Sequence, residues 1–141
     1  MAHALFESDQ QRFDRCYRDA QGYHRRAGLM DAQNNGHSLV FNVAAIAVEC
    51  YLIALCARFG EMPMNHNYAS LLAAVEEVMP LDPALRADIA HLDTLFGICS
   101  IDDYHHGKPV PEDKQIILRI CDRLQAVLQS LIKPDPIIME N

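Results

Sequence analysis

The segment Leu39 to Phe59, LVFNVAAIAVECYLIALCARF, is apolar on almost every side of a helical wheel, with Leu39, Val40, Val43, Ile46, Val48, Leu52, Ile53 and Leu55 spread around it. A helix of this kind needs neighbours over most of its surface, which places it at the centre of a bundle. Its polar residues are the exception. Ser38, Asn42 and Glu49 fall within about 40° of one another at 100° per residue and form one thin stripe. Facing water, that stripe has no consequence. Facing a groove, the Glu49 carboxylate needs a partner or a proton.

The other segments also read as helices, because none shows sustained alternation of apolar and polar residues. The first runs from about Phe6 to Ala27, with Phe13, Tyr17, Ala20 and His24 at helical spacing. The break Asp31 to His37 carries Asn-Asn-Gly turn chemistry, and Ser38 is the expected N-cap of the central helix. Gly60 is the expected stop. Asn67 is the expected cap of a short helix over Tyr68 to Val78, and Asp82-Pro83 opens the next, to about Ile98, with Leu85, Ile89, Leu92 and Phe96 on one stripe. Pro111, Glu112 and Asp113 start the last helix, whose apolar stripe runs from Ile116 to Leu131 and stops at Lys133-Pro134. The fold class is all-α: an up-and-down helical bundle of four long helices plus one short helix. It forms a single domain over residues 1–141, with 134–141 as a loose tail.

Charge narrows the function classes. The chain carries a net charge of −7, all of it in residues 61–141. Nucleic-acid binding normally leaves a basic footprint. The basic cluster Arg12, Arg15, Arg18, Arg25 and Arg26 is interleaved with Asp9, Asp14 and Asp19, as in a solvated helix face with local ion pairs. The five cysteines are scattered without a CxxC pair, so buried free thiols are expected and a structural zinc site is not. No window reaches about eighteen uninterrupted apolar residues and the N-terminus lacks a secretory signal pattern, so a soluble cytoplasmic protein without a membrane span is expected.

The densest chemistry lies in the loop SIDDYHHGKPV, from Ser100 to Val110. Three uses compete for it. Asp102, His105 and His106 are metal-ligand types, but adjacent histidines rarely reach one ion, so no metal is expected. Tyr104 could stack on a base while His105, His106 and Lys108 meet phosphate, opposed by Asp102 and Asp103. Otherwise the loop is a helix connection or interface with Tyr104 docked on the bundle. Glu49, Asp102, Asp103, Tyr104, His105, His106 and Lys108 are the candidate ligand-binding residues, and His66 in another connection could join them.

The order of three segments resembles the HEPN domain family. The central helix NVAAIAVECYLIAL is similar to that family's small-residue and glutamate pattern. MNHNYASLL is similar to its histidine followed by a short leucine-bearing helix, and SIDDYHHGKPVPEDKQIILRICDRLQAVLQSLI to its polar tyrosine loop and long final helix. The likeness spans roughly residues 10 to 132 as a pattern of helices. It implies a helical bundle, often dimeric, acting as a ribonuclease toxin or as the non-catalytic partner of a minimal nucleotidyltransferase. The family's ribonucleases carry an arginine, four to six intervening residues and a histidine, the histidine as acid or base and the arginine stabilising the phosphorane.

RADIAH offers one such pair, Arg86 and His91. An offset of five separates them by about 140° on a regular helix, so a helix break or a dimer must bring them together. In the loop, Asp103 stands where many relatives have an arginine before the tyrosine, and Ile53 stands where the central helix often has a lysine. The expectation is therefore a homodimeric, non-catalytic HEPN-like binding or regulatory module without a cofactor. Its partner would be a nucleotide or a protein of nucleotidyltransferase or toxin-antitoxin type. The alternative is a metal-independent endoribonuclease that uses Arg86 and His91 at a dimer interface, with RNA as substrate.

Overall fold

A computed structural model describes residues 7–96 and 109–132 of the chain. These residues form five helices: α1 (Asp9–Ala32), α2 (His37–Arg58), α3 (Tyr68–Glu76), α4 (Pro83–Phe96) and α5 (Pro111–Ile132). No strand occurs among the described residues, so the all-helical reading holds. The expected tail and the loop residues 97–108 lie outside them.

Local chemistry sets most boundaries. At the start of α1 the Ser8 hydroxyl accepts from the Gln11 N–H at 3.0 Å, and the Gln11 side chain accepts from the Ser8 N–H at 2.9 Å. This reciprocal box satisfies two otherwise orphaned donors. The helix runs five residues beyond the expected end at Ala27, through Gly28, before Asn34 turns the chain at φ 62°. The turn is short, and α2 starts at His37, ahead of the expected Leu39. Its N-cap is Gly36, with no side-chain cap bond, and Ser38 lies inside the helix.

Gly60 does end α2, at φ 76°. The Glu61 N–H donates to the Cys56 carbonyl at 2.8 Å and the Gly60 N–H to the Ala57 carbonyl at 3.0 Å. This pair of bonds is a Schellman closure, and it needs a residue free to adopt positive φ. Asn67 caps α3 as expected, its side chain accepting from the Ser70 N–H at 2.7 Å. A second cap comes from α4, where the Asp93 carboxylate accepts from the Tyr68 and Ala69 N–H groups at 3.1 and 2.8 Å. Asp82 accepts from the Leu85 N–H at 3.2 Å and opens α4.

Helix α2 is the centre of the core. Thirteen of its 22 residues are buried, including Val40, Ala44, Val48, Tyr51, Leu52 and Leu55, and it packs against α1, α5 and α3. Helix α1 runs antiparallel to it: Arg12 meets the Glu61 carbonyl near one end, and His24 meets Tyr51 further along. The pairs Asp31 with Lys114 and His24 with Asp122 set α5 antiparallel to α1. The α5 stripe buries Ile117, Ile120, Cys121, Leu124 and Leu128, as its periodicity predicts. By length and composition α2 is also apolar enough to cross a membrane, although Asn42 and Glu49 interrupt its apolar run. Burial by three neighbouring helices accounts for the same composition.

Candidate functional site

The polar stripe of α2 faces outward. Asn42 is exposed, and Ser38 and Glu49 are half-buried. They share their side of the helix with apolar residues: Leu39 is 50% exposed, Ile46 43%, and Val43 and Cys50 are half-buried. A helix that buries nearly everything else thus presents an arc of about 140°, part polar and part apolar.

Glu49 has a partner, supplied by the connection between α2 and α3. Its Oε2 lies 3.1 Å from His66 Nδ1, with Glu49 about one-third and His66 about one-half exposed. With the proton on Nδ1, His66 donates to the carboxylate and its Nε2 is left as a base; with both nitrogens protonated, Nε2 is an acid. The Asn67 cap adjacent to His66 holds this connection where it enters α3. Beneath it, the buried Tyr68 phenol donates to the Ala45 carbonyl at 3.1 Å. Burial raises that phenol far above its ordinary range, and the charges of Glu49 and Asp93 push it further the same way. Cys50 is no nucleophile at neutral pH: burial first, then Cys16 and Glu49, pushes its thiol up to about 12.

The other expected site residues separate. Arg86 and His91 sit on one unbroken helix, so their side chains stay about 140° apart within a chain. Arg86 Nε donates to Glu76 Oε2 at 2.7 Å. His91 is exposed, with Thr94 Oγ1 3.3 Å from its Nδ1. The loop candidates Asp102, Asp103, Tyr104, His105, His106 and Lys108 lie outside the described residues. Among the described residues no group of three or more histidine, cysteine or acidic side chains is placed to hold a metal ion.

Two polar clusters were not legible in advance. His24, read as part of the apolar stripe of α1, bridges three helices: its Nδ1 is 2.7 Å from the Tyr51 phenol and its Nε2 is 2.8 Å from Asp122 Oδ1. With Tyr51 donating to Nδ1, the imidazole donates its remaining N–H to Asp122 and every partner is satisfied. The phenol itself is fully buried, so the relay ties the bundle together and its inner end does not meet solvent. The second cluster is centred on Arg12, a buried guanidinium that donates to Asp9 at 2.9 Å and to the Glu61 carbonyl at 3.2 Å. It pins the Gly60 turn onto the start of α1.

No model of a known protein family matches this chain, and neither does any curated protein or solved structure.

Proposed function

We propose that the chain is a HEPN-like binding or regulatory module, its four long helices running up and down, that works as a homodimer through the outward arc of α2. In this reading it acts with a nucleotide or with a protein of nucleotidyltransferase or toxin-antitoxin type, and Glu49 with His66 supplies the polar contact. One observation carries the proposal. The helix with the most complete burial leaves Leu39 and Ile46 exposed and Val43 half-buried beside a carboxylate and imidazole pair, and apolar surface next to a few placed polar groups is the composition of a contact face.

Sedimentation equilibrium tests it. The unmodified protein is expected to be dimeric, and Ile46→Asp, which places a charge at the middle of the arc, is expected to shift it to monomer by weakening association at least tenfold. An unmodified protein that stays monomeric at high concentration, or an Ile46→Asp dimer of unchanged affinity, counts against the arc.

The catalytic alternative makes a separate demand. Arg86 and His91 would have to converge from two copies, and Arg86 would have to leave Glu76. Under the binding reading the purified protein leaves RNA intact in the absence of metal. Metal-independent cleavage abolished by His91→Ala would replace that reading with the endoribonuclease.

A further inference from the structure

On the outer side of α1 an exposed glycine stands near the middle of a long helix. Gly22 lines the surface, and a Cβ built on it meets nothing within 4 Å. Glycine inside a helix is less stable than alanine, because its backbone loses more freedom on folding. No close contact among the described residues explains the missing side chain. Its effect is to leave a saddle in the helix surface.

Arginines surround that saddle. At 100° per residue, Arg15, Arg18, Arg26 and Leu29 fall within about 40° of Gly22, with Arg25 about 60° away on one side and Asp19 about 60° away on the other. Arg15 is held by Glu7 at 2.7 Å and Arg18 only grazes Asp19 at 4.0 Å. Arg25 and Arg26 form no ion pair among the described residues, and Arg26 lies over the Tyr23 ring, 5.6 Å from its centroid. Shallow clefts of about 280 and 250 Å³ flank the face, one reaching Arg18, Asp19, Gly22 and Arg26, the other reaching Arg25 and Gln125. Leu29 is 56% exposed at the end of the same face.

Which partner suits this surface is decided by Leu29, the apolar residue on the arginine face. A nucleic-acid strand would use the arginines, but it has no use for an exposed leucine. An acidic amphipathic helix uses everything present. Its carboxylates meet guanidinium groups in charge-assisted bonds, an apolar side chain covers Leu29, and the missing Cβ lets two helix backbones come close. We infer that the outer face of α1 docks an acidic amphipathic helix of a partner protein. This face is separate from the α2 arc, and the inference does not depend on it.

Fluorescence anisotropy with a defined probe tests the inference on the full chain. The probe is a labelled synthetic peptide of about twenty residues, long enough to hold a helix, with leucines on one stripe and glutamates flanking it. Its lysine-for-glutamate counterpart and a labelled oligouridine serve as comparisons. The acidic peptide is expected to bind, more weakly as salt rises, while the lysine peptide and the oligouridine do not. Arg18→Glu with Arg26→Glu, and separately Gly22→Leu, are each expected to weaken binding at least tenfold. Gly22→Ala is expected to raise Tm by about 3 °C while still weakening binding, a combination that misfolding cannot produce. The inference is overturned if the acidic peptide does not bind, if oligouridine binds more tightly, or if Gly22→Leu leaves the affinity unchanged.

Discussion

Leu52→Ala is expected to lower the stability of this protein by about 3 kcal/mol, read from urea unfolding. Leu52 is fully buried on α2, the helix packed by α1, α3 and α5. Truncation removes apolar transfer energy and leaves a cavity whose walls belong to a core that cannot collapse from one side. A loss of this size is a large share of the roughly 5 to 15 kcal/mol that holds a typical domain. Met64→Ala is the control, because Met64 is 90% exposed in the connection after α2 and its loss should stay within about 0.5 kcal/mol. Similar losses for the two variants would show that α2 is not the centre of the core.

The second large effect is expected from a pair of substitutions. His24→Leu removes the hydrogen-bond partner of a fully buried phenol, so Tyr51 is left with a polar group in apolar surroundings, and about 2 kcal/mol should be lost. Tyr51→Phe alone removes one bond while His24 keeps Asp122, and should cost about 1 kcal/mol. The double variant leaves no orphan, so it should be more stable than the sum of the single losses by at least about 1 kcal/mol. Urea unfolding of all four proteins measures this coupling. Losses that add within about 0.3 kcal/mol would mean that the phenol does not depend on His24. Asp122→Asn should change little, because Asp122 is largely exposed and the exchange of charge for amide there is screened by water.

How far the sequence carried the fold depends on the range of each determinant. Gly60, Asn67, Asp82 with Pro83, and Pro111 each act within a turn of their own position, and each ends or starts a helix where its chemistry predicts. The Ser8 and Gln11 box is equally local and its spacing is present in the sequence, whereas the apolar stripe by itself extends the expected helix back to Phe6. Ser38 lies inside α2 instead of capping it because the preceding turn closes through Asn34 in the left-handed region, a choice the residue types permit without requiring.

The polar contacts were harder to read. Glu49 was legible as a carboxylate needing a partner, but His66 is 17 residues away in a connection whose path no periodicity describes. His24 and Asp122 are separated by 98 residues, and a lone histidine on an apolar stripe gives no hint of which distant residue meets it. The pairing of Arg86 with Glu76 belongs to the same class, because it depends on how α3 and α4 fold back on each other.

The Asp93 carboxylate that closes the start of α3 has a consequence for the order in which the chain assembles. A helix of nine residues is too short to persist in water by itself, since its first turn costs more entropy than the remaining bonds return. Two of its opening N–H groups donate to a residue about two dozen positions later, on the helix that follows it in the chain. Helix α3 therefore gains its persistence when α4 docks, and the two should open and close as one cooperative unit. Their amides would then exchange with solvent at matched rates, those of the short helix following those of its longer neighbour.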